Sequence, residues 1–120
     1  MDETRRETFP RRYRIVHGSE YSSVYRKGRR IESRNFVLFA LENGRGHPRL
    51  GITVSRKIGG AVVRNRAKRL FREVFRSSRG AVPGGFDLVV NAKRSCAAVG
   101  FHELYQEYLE VVGRLGDQHT

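Results

Sequence analysis

The sequence predicts a mixed α/β domain of the α+β kind, a small sheet packed with helices in a two-layer sandwich. Three observations point there. Strand-like and helix-like segments alternate along the chain, the apolar residues make 38% of it in interrupted runs that suffice for one modest core, and 120 residues is the length of a single domain.

Taken in order, residues 1–12 carry four arginines and a proline without apolar periodicity, which predicts a flexible basic arm ahead of one domain over 13–114. Ser19 is placed to cap a short helix in which Tyr21, Val24 and Tyr25 fall at i, i+3 and i+4, and Gly28 ends it. Residues 33–42, SRNFVLFALE, are rich in strand formers, with Phe36, Leu38 and Ala40 on one face and Val37, Phe39 and Leu41 on the other. Both faces are apolar, so both are expected to be covered. The turn-rich stretch from Asn43 to Pro48 and the second strand RLGITVS over 49–55 then read as a hairpin with the first.

Gly59-Gly60 precedes a long amphipathic helix over about 61–78, with Val63, Ala67, Leu70, Phe71, Val74 and Phe75 at helical spacing. A loop at 81–85 leads to a third strand, FDLVVNAK. Residues 100–113 then form a last helix with Tyr105 and Tyr108 on its core side, and 115–120 form a frayed tail. The expected order is α-β-β-α-β-α.

Charge narrows the function. Twenty-four Lys and Arg stand against 12 Asp and Glu, a formal net of +12, and a surface of that sign seeks polyanions, phosphate backbones foremost. No stretch is apolar enough to span a membrane, and the polar, charged start of the chain carries no secretion signal, so a cytoplasmic, membrane-free location is expected. The single Cys96 excludes an internal disulfide and any cysteine-rich metal site. His17, His47, His102 and His119 are scattered, and no catalytic or metal-binding arrangement stands out.

The chemistry concentrates in residues 55–79, SRKIGGAVVRNRAKRLFREVFRSSR. Arg64, Lys68, Arg72 and Arg76 form a continuous i, i+4 series spanning about 18 Å, with Asn65 and Arg69 in the same arc and only Glu73 interrupting it. Like charges at this spacing repel by a few tenths of a kcal/mol each. Such a series is explained by an external anion that neutralises it. Arg56 and Lys57 add two cations beside the glycine pair, which lacks the spacing of a nucleotide-binding P-loop.

Val54–Arg76, with V-S-R-K, I-G, A-V, R-N-R, K-R and R-E in succession, strongly resembles the signature of the bacterial ribonuclease P protein subunit. The resemblance extends through EYSSVYRKGRR, RNFVLFA, RLGITVS and FDLVV, over roughly residues 13–112. It implies the sandwich shared with a ribosomal protein domain, including a left-handed βαβ crossover that the general rule for such connections would not predict. It implies an accessory subunit of an endoribonuclease whose RNA subunit performs the hydrolysis and holds the magnesium, with ribonuclease P RNA and precursor tRNA as partners and no obligate protein partner.

Carried over by residue, the resemblance assigns Arg56, Lys57, Arg64, Asn65, Arg66, Lys68, Arg69 and Arg72 to the surface facing the catalytic RNA, and the charge pattern extends this surface to Arg76. Tyr21, Tyr25 and Phe39 match the aromatic positions of a cleft for the single-stranded 5′ leader. Tyrosine stands at 21 and 25 where Phe is frequent, Arg56 where Lys is frequent, and Gly60, where a polar residue is frequent, is expected to loosen the helix start. A ribosomal RNA-binding protein and a DNA-binding module share the charge, but not the R-N-R segment with its V-S-R-K lead-in.

Overall fold

The computed structural model describes residues 10–82 and 84–117. They form helix α1 (Gly18–Lys27), strands β1 (Arg29–Glu32), β2 (Phe36–Glu42) and β3 (Arg49–Thr53), helix α2 (Ala61–Ser77), strand β4 (Phe86–Ala92) and helix α3 (Phe101–Asp117). Short 3-10 turns link them, among them Arg56–Ile58 and Arg94–Ala98.

The α+β class is as expected, with one strand more than the sequence predicted. β1 escapes sequence reading because three of its four residues are charged and only Ile31 is buried. Its strand character comes from the ladder it makes with β2, in which Arg30 pairs with Phe39.

The expected hairpin of β2 with β3 does not form. The sheet order is β1-β2-β4-β3, with β4 antiparallel to β2 and parallel to β3. β4 takes the central position because Phe86, Asp87, Leu88, Val89 and Val90 are all buried, a run that only a strand covered on both faces can hide. The outer edge of β3 is met by the segment before α1, where the Ile15 N–H donates to the Leu50 carbonyl at 3.0 Å.

One face of the sheet presents Phe36, Leu38, Ala40, Leu50, Leu88 and Val90 to α2 and α3. Phe71 of α2 meets Phe36 edge-on at 5.5 Å, and each such buried ring contributes about 1.5–3 kcal/mol. The other face carries a smaller cluster of Ile15, Val24 and Val89 beneath α1, with Tyr21, Phe39 and Leu41 against it. The sheet and the α2/α3 layer are thus backed by a third layer of one helix.

Several boundaries differ from expectation. α1 starts at Gly18 with His17 as its N-cap, and Ser19 lies inside the helix. Gly28 ends α1 as expected, and a side chain there would meet the Val24 carbonyl oxygen at 2.5 Å and the Ala40 carbonyl oxygen at 2.9 Å. Gly60 sits at the N-cap of α2 in an ordinary extended conformation, and α2 begins regularly at Ala61.

α3 continues through the expected tail as far as Asp117, because Leu115 is buried in the main core. Of the expected arm, residues 1–9 lie outside the described residues, as do 118–120 of the tail. Arg11–Tyr13 form a 3-10 turn, and the Arg12 guanidinium lies 4.9 Å from the centre of the Tyr13 ring.

Two buried carboxylates tie the layers together. Glu107 of α3 accepts hydrogen bonds from the Ser33 hydroxyl, from Asn35 N–H at 2.8 Å and from Asn35 Nδ2 at 2.7 Å, fixing the β1–β2 turn. Burial alone would raise the Glu107 pKa, and these bonds reverse that, leaving it below the usual carboxylate range. On the opposite face Asp87 of β4 accepts from Arg49 Nε at 2.9 Å and Nη2 at 2.8 Å, and from Asn43 Nδ2 at 2.8 Å. Arg49 Nη2 also reaches Glu20 of α1 at 3.1 Å, so one guanidinium joins β3, β4 and α1.

Candidate nucleic-acid interface

α2 buries Ala67, Phe71, Val74 and Phe75, and its polar arc follows from that anchoring. Asn65, Arg69 and Arg72 are exposed, while Arg64 and Lys68 are half-buried on the flank. Arg64 Nε donates to the Gly59 carbonyl at 3.2 Å, which draws this side chain back along the helix start. Arg56 and Lys57 are exposed on the 3-10 turn, which buried Ile58 pins to the domain.

Two of the expected cations are differently engaged. Arg76 forms an ion pair with Glu73 one turn back. Arg66 lies at the opposite border of the arc, where Nη2 donates to the Val99 carbonyl at 3.1 Å and Nη1 to the Ala97 carbonyl at 3.5 Å. It links α2 to the connection between β4 and α3.

Tyr21 and Tyr25 lie on one face of α1 as their spacing predicted, and Phe39, added by the resemblance, packs beside them. Tyr25 meets Phe39 edge-on with ring centres 4.9 Å apart, and its hydroxyl donates to Asn91 Oδ1 at 2.8 Å and lies 3.1 Å from Thr53 Oγ1. Tyr21 lies against β3 at Gly51, and burial raises its pKa above the ordinary tyrosine value.

The absence of a side chain at 51 makes room for this ring. A Cβ there would stand 2.7 Å from Tyr21 Cε1, Cζ and Oη. Gly51→Ala is therefore expected to push the Tyr21 ring off β3 while costing about 1 kcal/mol or more of stability. Quenching of tyrosine fluorescence by iodide should increase in the variant, and unchanged quenching would count against this packing.

Sequence reasoning missed Asn91, Thr53 and Arg14. The first two belong to the cleft floor because Val37, Asn91 and Thr53 are register partners across β2, β4 and β3. Their one sequence signal is a polar residue following the apolar part of each strand, Thr53 after Ile52 and Asn91 after Val90. Arg14 joins Tyr21, Lys68 and Arg72 around an open pocket of about 210 Å³ at the β3 edge. Tyr21, which the resemblance assigned to the leader cleft, and Lys68 and Arg72, which it assigned to the surface facing the catalytic RNA, meet at this pocket.

Among the described residues, no group of three or more His, Cys, Asp or Glu side chains comes together as a cation site. The interface offers cations, amides and aromatic rings, a set suited to phosphates and bases.

Comparison with known proteins agrees with this architecture. The family model Ribonuclease P matches residues 9–116. The ribonuclease P protein component of Thermotoga petrophila is 34% identical over 113 residues, covering 91% of this chain and 97% of that protein. The component from Acidothermus cellulolyticus is 37% identical, covering 88% and 90%.

Among solved structures, the ribonuclease P protein from Thermotoga maritima superposes with a TM-score of 0.79 at 32% identity, covering 84% of this chain and 96% of that one. A ribonuclease P protein from Staphylococcus aureus gives a TM-score of 0.75 at 32% identity, covering 87% and 94%. With a family model spanning most of its length and relatives matched nearly end to end, the chain belongs to the ribonuclease P protein component family.

Proposed function

We propose that this protein binds ribonuclease P RNA through the exposed flank of α2 and holds the 5′ leader of precursor tRNA in the aromatic cleft, promoting endonucleolytic removal of that leader. The observation that carries the reading is the junction of two surfaces at one pocket, where Tyr21 stands beside Lys68 and Arg72. A leader leaving the cleft beside Tyr21 meets Arg14, Lys68 and Arg72 around this pocket.

The division of labour follows from chemistry. Aromatic faces stack unpaired bases for about 1–3 kcal/mol each without demanding a sequence, which suits leaders that vary between precursors. Arg56, Lys57, Arg64, Lys68, Arg69 and Arg72 neutralise phosphates and release counterions, and Asn65 adds a neutral donor and acceptor among them. Arg66 and Arg76 support this surface through their bonds to Val99 and Glu73.

Hydrolysis belongs to the RNA subunit, with magnesium held mainly there, and the protein lowers the magnesium needed by screening RNA repulsion. The site of action is the cytoplasm. Among the described residues no helix is long and apolar enough to cross a membrane.

Reconstitution with a bacterial ribonuclease P RNA tests the reading. Adding the protein should stimulate leader cleavage at low magnesium. The double variant Tyr21→Ala, Phe39→Ala should weaken precursor binding by roughly tenfold or more while leaderless tRNA binding changes little. Equal losses for both substrates would remove the leader from this cleft.

A further inference from the structure

We propose that Thr53 and Asn91 are positioning residues for Tyr25, locking its ring as a stacking platform for one unpaired leader nucleotide; the proposal rests on the cleft assignment made above. Tyr25 lies in the last turn of α1 and is 38% exposed, a setting in which a tyrosine ordinarily samples several rotamers. Here it is held at three points. Its ring packs at 89° to Phe39, and its hydroxyl lies within hydrogen-bond distance of side chains on two adjacent strands.

The proton count fixes the direction of this chain. A phenol has one hydroxyl proton, and Tyr25 gives it to Asn91 Oδ1 at 2.8 Å. The contact with Thr53 at 3.1 Å is then made by the Thr53 hydroxyl donating to Tyr25 Oη. Thr53 and Asn91 are direct register partners of β3 and β4, so the ladder places both acceptor and donor without help from flexible loops.

Fold stability does not account for the trio. α1 is already anchored by fully buried Val24 and by the Glu20–Arg49 ion pair, and a hydrogen bond between exposed groups adds little net stability. Phenylalanine at 25 would pack against Phe39 equally well. Asparagine is also disfavoured within strands, and of the two polar residues in β4 Asp87 is engaged by Arg49, whereas Asn91 has the Tyr25 hydroxyl as its side-chain contact. Fixing the ring in advance removes the cost of ordering it when a base stacks.

The test uses holoenzyme reconstituted with a bacterial ribonuclease P RNA and compares precursor with leaderless tRNA. Tyr25→Phe removes one oxygen, and Asn91→Val keeps a strand-forming side chain of similar size. Each should weaken precursor binding about three- to tenfold relative to leaderless tRNA. The double variant should be no weaker than the weaker single variant, and the salt dependence should stay unchanged because no charge is altered.

Additive losses in the double variant, or losses shared by leaderless tRNA, would overturn the proposal. Tyr25→Ala separates the two levels of argument. If it weakens precursor selectively while Tyr25→Phe and Asn91→Val do not, the cleft stands and the positioning role fails. If Tyr25→Ala has no leader-dependent effect, the cleft assignment fails and the positioning role with it.

Discussion

Asp87→Ala is expected to destabilise the protein by about 3 kcal/mol, lowering the melting temperature by roughly 10 °C. Asp87 is 7% exposed and accepts three hydrogen bonds, two of them from Arg49. Removing it leaves a buried guanidinium with Glu20 as its remaining carboxylate partner, and an uncompensated buried charge is far costlier than a lost pair. The double variant Arg49→Met, Asp87→Leu should therefore recover much of the loss. Urea titration distinguishes the cases, and a loss in Asp87→Ala of under about 1 kcal/mol would show that the pair does not organise this end of the sheet.

The same pair sets the response to acid. Burial alone would raise the Asp87 pKa, and the bonds from Arg49 and Asn43 outweigh it, holding the carboxyl below its ordinary value. A group depressed in the folded state contributes stability that is complete above its unfolded pKa, about 3.9, and is lost as pH falls through the folded value. Glu20 and Glu107 are shifted in the same direction. Stability should thus be level above about pH 5 and fall below about pH 4, with a shallower fall in Asp87→Ala.

The second large effect concerns RNA. Arg64→Ala combined with Arg69→Ala should weaken binding to ribonuclease P RNA on the order of 10- to 100-fold at about 0.1 M salt, and should lower the log-log salt slope by roughly 1.5 to 2. The slope is the decisive readout, because it counts phosphates and not fold integrity. Arg66→Ala should behave differently. Its guanidinium is bonded to the Val99 and Ala97 carbonyls, so thermal stability should fall with little change in slope. If all three positions changed the slope equally, the distinction between phosphate-facing and scaffold arginines would be wrong.

Those contrasts show how far the sequence can be read. The extent of α2 was legible to within a residue, because an apolar stripe at helical period and the Gly59-Gly60 break are both local signals. The pairing of Tyr21 and Tyr25 on one face of α1 was legible for the same reason. β1 was not, since RRIE has no strand pattern until β2 supplies hydrogen-bond partners. The supposed β2–β3 hairpin failed because nothing local to the 43–48 turn reveals that a strand some 40 residues on will lie between them.

The candidate site divides along the same line. The cations of α2 and the rings of Tyr21 and Tyr25 were visible as residue types at regular spacing, whereas Arg56, Lys57 and Phe39 were assigned through the resemblance. Thr53 and Asn91 reach the cleft through strand register, Arg14 through the pairing of its segment with Leu50, and Arg66 leaves the phosphate-facing arc through carbonyls over 30 residues away. Periodicity and charge, which depend on neighbours along the chain, determined the class of fold and the expectation of a polyanionic partner. Strand order, the tether on Tyr25 and the partner of each arginine depend on contacts between distant segments, and those exist only once the core has closed.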